Sequence, residues 1–429
     1  MKDKKLGCFL SIWLGQFGSG IGSGITAFSL GVFAFNNTKS ATAYSLIILF
    51  AFLPSYLLKP IGGALSDRFD RRMMMMIGDL CSALGLVFIL LMFLSGIHEL
   101  WVIYWGVAIS SVFVALQNPA YKASLTDLLD EEAYAKGSGL MQLSESSRFL
   151  VSPIVAGFLM LIMKIEYILM IDIATFMIAA LTAFAVKKRI KNKKPVPTGR
   201  TMISDLINGF RYTFSNKALV WLLAITSVIT FSVGFLQALM GPMILAFSDA
   251  KKLGMAQTIS ATGMLVSSIL IGMFSNTKNS MRILSWSLAI SGLFYALFGT
   301  STNMMFIIVT GFIFFSAIPF INTSLEVLIR KNVDNSIQGR VWSIVSLISQ
   351  LGMILAFCIS GFLADRVFNP LLLNDGLLAS TVGELIGTGN GRGIGLMFVL
   401  SGIIMIITGA AISKIKAIKV LELPLPENQ

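Results

Sequence analysis

The 429-residue chain holds one histidine, His98, and three cysteines, Cys8, Cys81 and Cys358, far apart in sequence. Such a set cannot assemble a Cys/His zinc cluster, and an odd cysteine number argues against a disulfide framework. Charge is scarce too: 13% of residues are ionised at neutral pH, against about 25% in soluble domains. No Walker sequence or ATPase domain is present, so energy must come from an ion gradient or flow must be downhill. The stretch "GTGNGRG" (387–393) is glycine-rich like a phosphate cradle, but it follows no strand and reads as a flexible outer loop. No metal and no cofactor are expected.

What the chain has in excess is apolar surface, with 55% hydrophobic residues. Stretches of about 20 apolar residues, enough to cross about 30 Å of hydrocarbon, can be counted twelve times. They lie near 8–35, 41–65, 73–96, 99–121, 138–163, 166–186, 218–247, 254–275, 281–301, 303–328, 341–367 and 394–414. The prediction is an all-α membrane protein of twelve transmembrane helices. The first span runs too long for a cleaved signal peptide and is expected to remain as helix 1.

Positive charge fixes the expected topology, because flanking Lys and Arg stay in the cytoplasm. With Met1 inside, the inner segments hold 25 of the 33 basic residues, the outer loops six, and the spans two, Lys59 and Arg148. Both termini are therefore expected to be cytoplasmic. The net charge of +12 is explained by this placement and needs no nucleic-acid partner.

The longest polar connection, residues 187–217, divides six spans from six. It starts as a basic, Pro-containing linker and ends with apolar residues at 203, 206, 207, 210 and 214, a spacing that suits an interfacial helix. The halves repeat: "SLTDLLDEEAYAKGSG" (124–139) and "SLEVLIRKNVDNSIQG" (324–339) keep Ser-Leu and the last Gly 200 residues apart, and Pro119 falls opposite Pro319. "GALSDRFD" (63–70) faces "GMFSNTKN" (272–279), and "AGFL" (156–159) faces "SGFL" (360–363). Four matches in one order point to duplication, giving an N-terminal bundle at 1–186 and a C-terminal bundle with a short cytoplasmic tail at 218–429. Two such halves with a site between them describe a rocking carrier.

The turn "GGALSDRFDRR" (62–72) concentrates charge in a chain that has little. It resembles the signature between helices 2 and 3 of the major facilitator superfamily, G-x-L-A-D-R-x-G-R-K, through Gly63, Leu65, Asp67, Arg68, Arg71 and Arg72, with Asp70 where the family prefers Gly. The resemblance implies an inner gate: Asp67 facing the amide end near Gly339 and Arg340, and Arg71 pairing with Asp127. "GLMQLSESSRFLVSPIVAG" (139–157) is similar to the antiporter signature of drug/proton exchangers at Gly139, Pro153 and Gly157, while Arg148, Ser152 and Ala156 replace glycines. A proline kink set among small residues accounts for the same pattern.

Over most of its length the chain also resembles bacterial macrolide-efflux-type transporters, through "WLGQ" (13–16), "NPAYKASLTDLL" (118–129), "IDIATFMIAAL" (171–181) and "GRVWSIVSLI" (339–348), among others. This implies a monomeric carrier in the bacterial inner membrane that exports small amphipathic drugs such as macrolides in exchange for protons. Export of a metabolite, siderophore, peptide or lipid fits the same fold, and a receptor or channel is a further alternative.

Charges inside spans cost about 2.5 to 3.5 kcal/mol each on insertion scales and need a reason. Glu145 and Arg148, three apart on one helix face, are expected either to neutralise each other or to form a proton-binding acid with its modulator. Asp172 is open to a structural bond with a neighbouring helix or to proton coupling. Gln16, Gln117, Asn118, Gln237 and Asn322 are the expected polar handles of an apolar substrate cavity, or else bonds between helices.

Overall fold

The computed structural model describes residues 2–130, 133–189, 210–274, 279–333 and 337–412, without the side chains of residues 2–4, 67, 189, 274 and 340. These residues are helical almost throughout. The helices are α1 Lys2–Thr38, α2 Ala41–Arg68, α3 Arg71–Leu94, α4 Leu100–Leu128, α5 Tyr134–Leu150, α6 Ser152–Ile162, α7 Ile165–Arg189, α8 Lys217–Leu245, α9 Ala250–Phe274, α10 Ser280–Thr300, α11 Met304–Asn332, α12 Gln338–Leu363 and α13 Arg392–Ile412. Among the described residues, eleven helices are each long and apolar enough to cross a membrane, and α5 with α6 forms a twelfth span bent by 42°.

Local sequence explains where these helices begin and break. Ser40, Asp70, Asn216 and Asn303 cap α2, α3, α8 and α11, each side chain accepting from backbone amides of the first turn. Asp70, the departure from the superfamily turn, thus has a local role: it accepts from the amides of Arg72 and Met73. The bend between α5 and α6 falls at Val151, two residues before Pro153, whose ring removes an amide donor and forbids a continuous helix. After α12 the chain continues through a π-helical turn, Ala364–Phe368, and short helical turns at Asn369–Leu371 and Val382–Ile386. The expected outer loop 387–393 falls just beyond, with Gly387, Gly389 and Gly391 all at positive φ.

The chain divides into two compact units, Met1–Thr198 with Asp249–Met255, and Gly199–Ser248 with Ala256–Gln429. In the first unit α1 is the hub, touching α2, α4, α5, α6 and α7. One apolar cluster gathers Phe9, Ile12, Met75 and Leu128; another gathers Leu30, Ile47, Ile89 and Ile103. Between the two levels along α1 sit Gln16, Ser19 and Ser23. In the second unit α10 packs on α13 and α11, and α8 on α12. The expected interfacial helix lies largely outside the described residues; residues 210–215 at its end are helical.

Candidate transport site

Helix α1 reads "GQFGSGIGSGIT" through its middle, and the glycines decide what can approach it. A Cβ on Gly15 would fall 2.5 Å from Thr182 Oγ1, one on Gly22 2.5 Å from Thr175 Oγ1 and 2.8 Å from Asp172 Oδ1, and one on Gly24 2.3 Å from Ser152 Oγ. Helices α6 and α7 therefore lie against α1 as closely as backbone allows.

That contact buries Asp172, which is 1% exposed. Its Oδ1 accepts from Ser23 Oγ on α1 at 3.4 Å and from Thr175 Oγ1 one turn along α7 at 3.3 Å. Arg148 on α5 attracts it electrostatically without closing a salt bridge. Asp172 thus has a basic neighbour after all, supplied by another helix.

The fold buries a second acid. Asp79 in the middle of α3 is also 1% exposed. Gln16 Nε2 donates to its Oδ2 at 2.7 Å, and Gln117 Nε2 on α4 donates to Gln16 Oε1. Gly78 lets α4 reach this point, since a Cβ there would fall 2.6 Å from Gln117 Cβ. Asp79 is the only acidic or basic residue in "MMMMIGDLCSALGLVFILLMFL", and a lone acid in an apolar span is what singles out Asp172. Gln16 is not a free handle for cargo, because both ends of its amide are occupied.

At one end of this unit Arg71 Nη1 donates to the carbonyl oxygen of Ala123 at 2.8 Å, to Thr126 Oγ1 at 3.3 Å and to Asp127 Oδ1 at 3.0 Å, clamping the start of α3 to the end of α4. Arg68 is exposed, Gly63 half-buried and Gly339 exposed, with open space at both glycines. The expected contact of Asp67 with Arg340 lies outside the described residues.

The Glu145–Arg148 pair expected from spacing is corrected by the fold. Glu145 pairs with Lys122 on α4, Nζ to Oε1 at 2.8 Å, and about half of each side chain is exposed. Lys122 reaches Glu145 from the facing helix α4, and Arg148 is attracted electrostatically to Asp172 on α7. Glu326 pairs with Arg330, at 3.5 Å along α11. In the helix-5 signature, Pro153 and Gly157 are buried and Gly139 is exposed with open space around it. Gly157 meets the Ala250 carbonyl, and Gly254 that of Pro153, so these glycines set a close crossing of α6 with the first turns of α9 inside the first unit. Of the remaining handles, Asn118 and Asn322 are exposed and Gln237 is half-buried.

Among the described residues no three His, Cys, Asp or Glu side chains converge as a metal site. A cleft of about 550 Å³ in the second unit, between α10 and α11, is lined by Arg282, Trp286, Ile290, Ile313 and Phe320 and is almost wholly apolar. Trp286 in its lining is exposed.

Comparison with known proteins follows the same lines. Macrolide efflux protein A of Streptococcus pyogenes is 27% identical over 364 residues, covering 84% of this chain and 90% of that protein. The protein of the same name from Enterococcus faecalis is 26% identical over 319 residues, covering 73% of this chain and 98% of the relative. A bacterial homolog of the human lysosomal transporter Spinster, solved inward-facing and unoccupied, superposes with a TM-score of 0.72 at 14% identity, covering 99% of this chain and 100% of that one. This likeness shows the fold. The model of the Major Facilitator Superfamily matches residues 12–357, and with a multi-pass helical fold built as described, the chain belongs to that superfamily of membrane transporters.

Proposed function

We propose that the chain is a secondary active exporter of bulky amphipathic compounds, macrolides among them, which exchanges cargo for protons by alternating access. It works as a monomer in the bacterial cell membrane with both termini in the cytoplasm. The observation that carries proton coupling is Asp172: a carboxyl sealed between α1 and α7, bonded by two hydroxyls and attracted by Arg148 without a closed ion pair. An acid so placed gives up its charge on taking a proton and thereby loosens its hold on Arg148. Likeness to macrolide efflux protein A over 84% of the chain supports the direction of transport and the cargo class.

In this reading residues 1–186 and 218–429 are the two rocking bundles, joined by the linker 187–217. The clamp of Arg71 on Asp127 keeps the 2–3 turn rigid, so that Asp67 can latch against Gly339 and Arg340 when the inner side closes. The bend at Val151, just before Pro153, gives the fifth span its hinge. Asn118, Gln237 and Asn322 supply polar contacts to cargo, and Glu145 tethers α5 to Lys122. The test is a panel of macrolides and other amphipathic drugs in proteoliposomes with an imposed pH gradient. Saturable, gradient-dependent flux of at least one is expected; flux that ignores the gradient for every compound removes proton coupling.

A further inference from the structure

We propose that Asp79, Gln16 and Gln117 form a second proton-binding site, in which one proton on Asp79 reverses a chain of amide hydrogen bonds running from α4 through α1 to α3. This rests on the reading of the protein as a proton-coupled carrier and names a site within it distinct from Asp172.

Asp79 is fully buried and has one hydrogen-bond partner, Gln16. Among the described residues, no other ionisable group on α2, α4 or α7, and not the buried Arg72 on α3 itself, makes a hydrogen bond or ion pair with Asp79. On α7, Asp172 is bonded to Ser23 and Thr175; on α4, Asp127 is bonded to Arg71 and Lys122 to Glu145; Tyr121 on α4 and Lys59 on α2 make no bond to Asp79. A buried carboxylate without a cation is costly, and a proton removes that cost.

The partners are suited to report the change. A carboxylate only accepts, whereas a carboxylic acid carries one O–H donor. With Asp79 ionised, Gln16 turns its nitrogen to the acid and its oxygen to Gln117, the arrangement observed. When a proton from water binds Oδ2, the new hydroxyl donates to Gln16, which must present its oxygen. The Gln16 nitrogen then faces Gln117, which must present its oxygen in turn. One O–H bond forms, two amides reverse, and loss of the proton to water restores them. A serine or threonine hydroxyl could adapt by rotating its hydrogen; primary amides must move heavy atoms. Gln117 is followed by exposed Asn118 and by Pro119 within α4, so the reversal arrives at a polar, proline-containing segment of that helix. Gln16 and Ser23, which hold the two buried acids, lie seven residues apart on one face of α1, about 10 Å along its axis. One helix therefore touches both sites.

The test uses full-length protein in weakly buffered detergent solution with a pH-sensitive dye, counting protons released on addition of erythromycin. Wild type that releases none, and whose efflux in liposomes ignores a pH gradient for every drug tried, ends the reading of proton-coupled export itself. If wild type does release protons, Asp79→Asn, nearly isosteric and still able to accept from Gln16, is expected to release at most half as many. Gln16→Leu, which leaves the acid in place, is expected to do the same while still binding the drug. Release equal to wild type from both variants overturns the site. Should Asp79→Asn fail to insert, infrared difference spectra of Asp172→Asn protein decide the matter. Drug addition is expected to bleach a carboxylic-acid C=O band that vanishes when aspartate is isotopically labelled and reappears at its shifted position; no drug-induced change in that region overturns the proposal.

Discussion

Among the described residues the first unit buries two acids, Asp79 and Asp172, with Arg72, whereas the second buries a single charged side chain, Arg392, which donates to the Gly299 carbonyl at 3.0 Å. Both units otherwise use the same means of bringing helices together. In the second, a Cβ on Gly292 would fall 2.6 Å from the Gly402 oxygen and one on Gly402 2.4 Å from the Gly292 oxygen, with Gly299 and Gly395 repeating the contact two turns away. In the first, Gly85 and Gly106 make the equivalent crossing of α3 with α4. Where lipid replaces water, apolar burial gives helices no reason to prefer one another, so close packing of small residues supplies it. The difference is what the close packing encloses: ionisable groups in one unit, aromatic rings such as Tyr295, Phe298 and Phe398 in the other.

The sharpest way to break this comparison is to neutralise an acid in one unit and a buried polar group in the other. Asp172→Asn is expected to lower gradient-driven drug efflux in proteoliposomes about tenfold or more. Tyr295→Phe, which removes the hydroxyl that donates to the Ser232 carbonyl at 2.8 Å, is expected to leave efflux within about twofold, since it deletes a neutral bond worth about 1 kcal/mol. Equal losses from the two would erase the asymmetry.

Packing comes next in size. Gly402→Leu sets a side chain against backbone that cannot yield, so its cost should exceed the usual overpacking range of about 1 to 3 kcal/mol. Gly85→Leu should behave alike in the first unit. Size-exclusion profiles and melting temperatures in detergent report both, and wild-type melting for either variant contradicts the closed crossing. Arg71→Ala removes three hydrogen bonds from the turn between α2 and α3 and is expected to slow efflux several-fold while membrane insertion is kept; unchanged efflux removes the latch role. Least of all, Lys122→Ala should shift stability by about 0 to 1 kcal/mol, because its pair with Glu145 is half exposed. A large loss of proton exchange in this variant would move the coupling chemistry from Asp172 toward Glu145.

Much of the scaffold was legible before any coordinates. Twelve apolar stretches correspond to eleven single helices and one bent pair, and the bend lies where Pro153 stands. The site was legible only in part. Asp172 stood out as a lone acid, yet Asp79 meets the same criterion and was passed over. Gln16 and Gln117 were open to two roles, handles for cargo or bonds between helices, and they bond to each other and to Asp79. Glu145 and Arg148 looked like a pair because they share a helix face, and the facing helices gave each a different partner.

The amino-acid order by itself determined the spans, their caps and their break. Hydrocarbon thickness, side-chain capping and the missing amide of proline act over a few neighbouring residues and sum along the chain. Only the tertiary structure decided who partners whom. A buried polar group bonds with whichever helix comes within about 3 Å, and that approach is set by glycines such as Gly22 and Gly78 on surfaces brought together from distant parts of the chain.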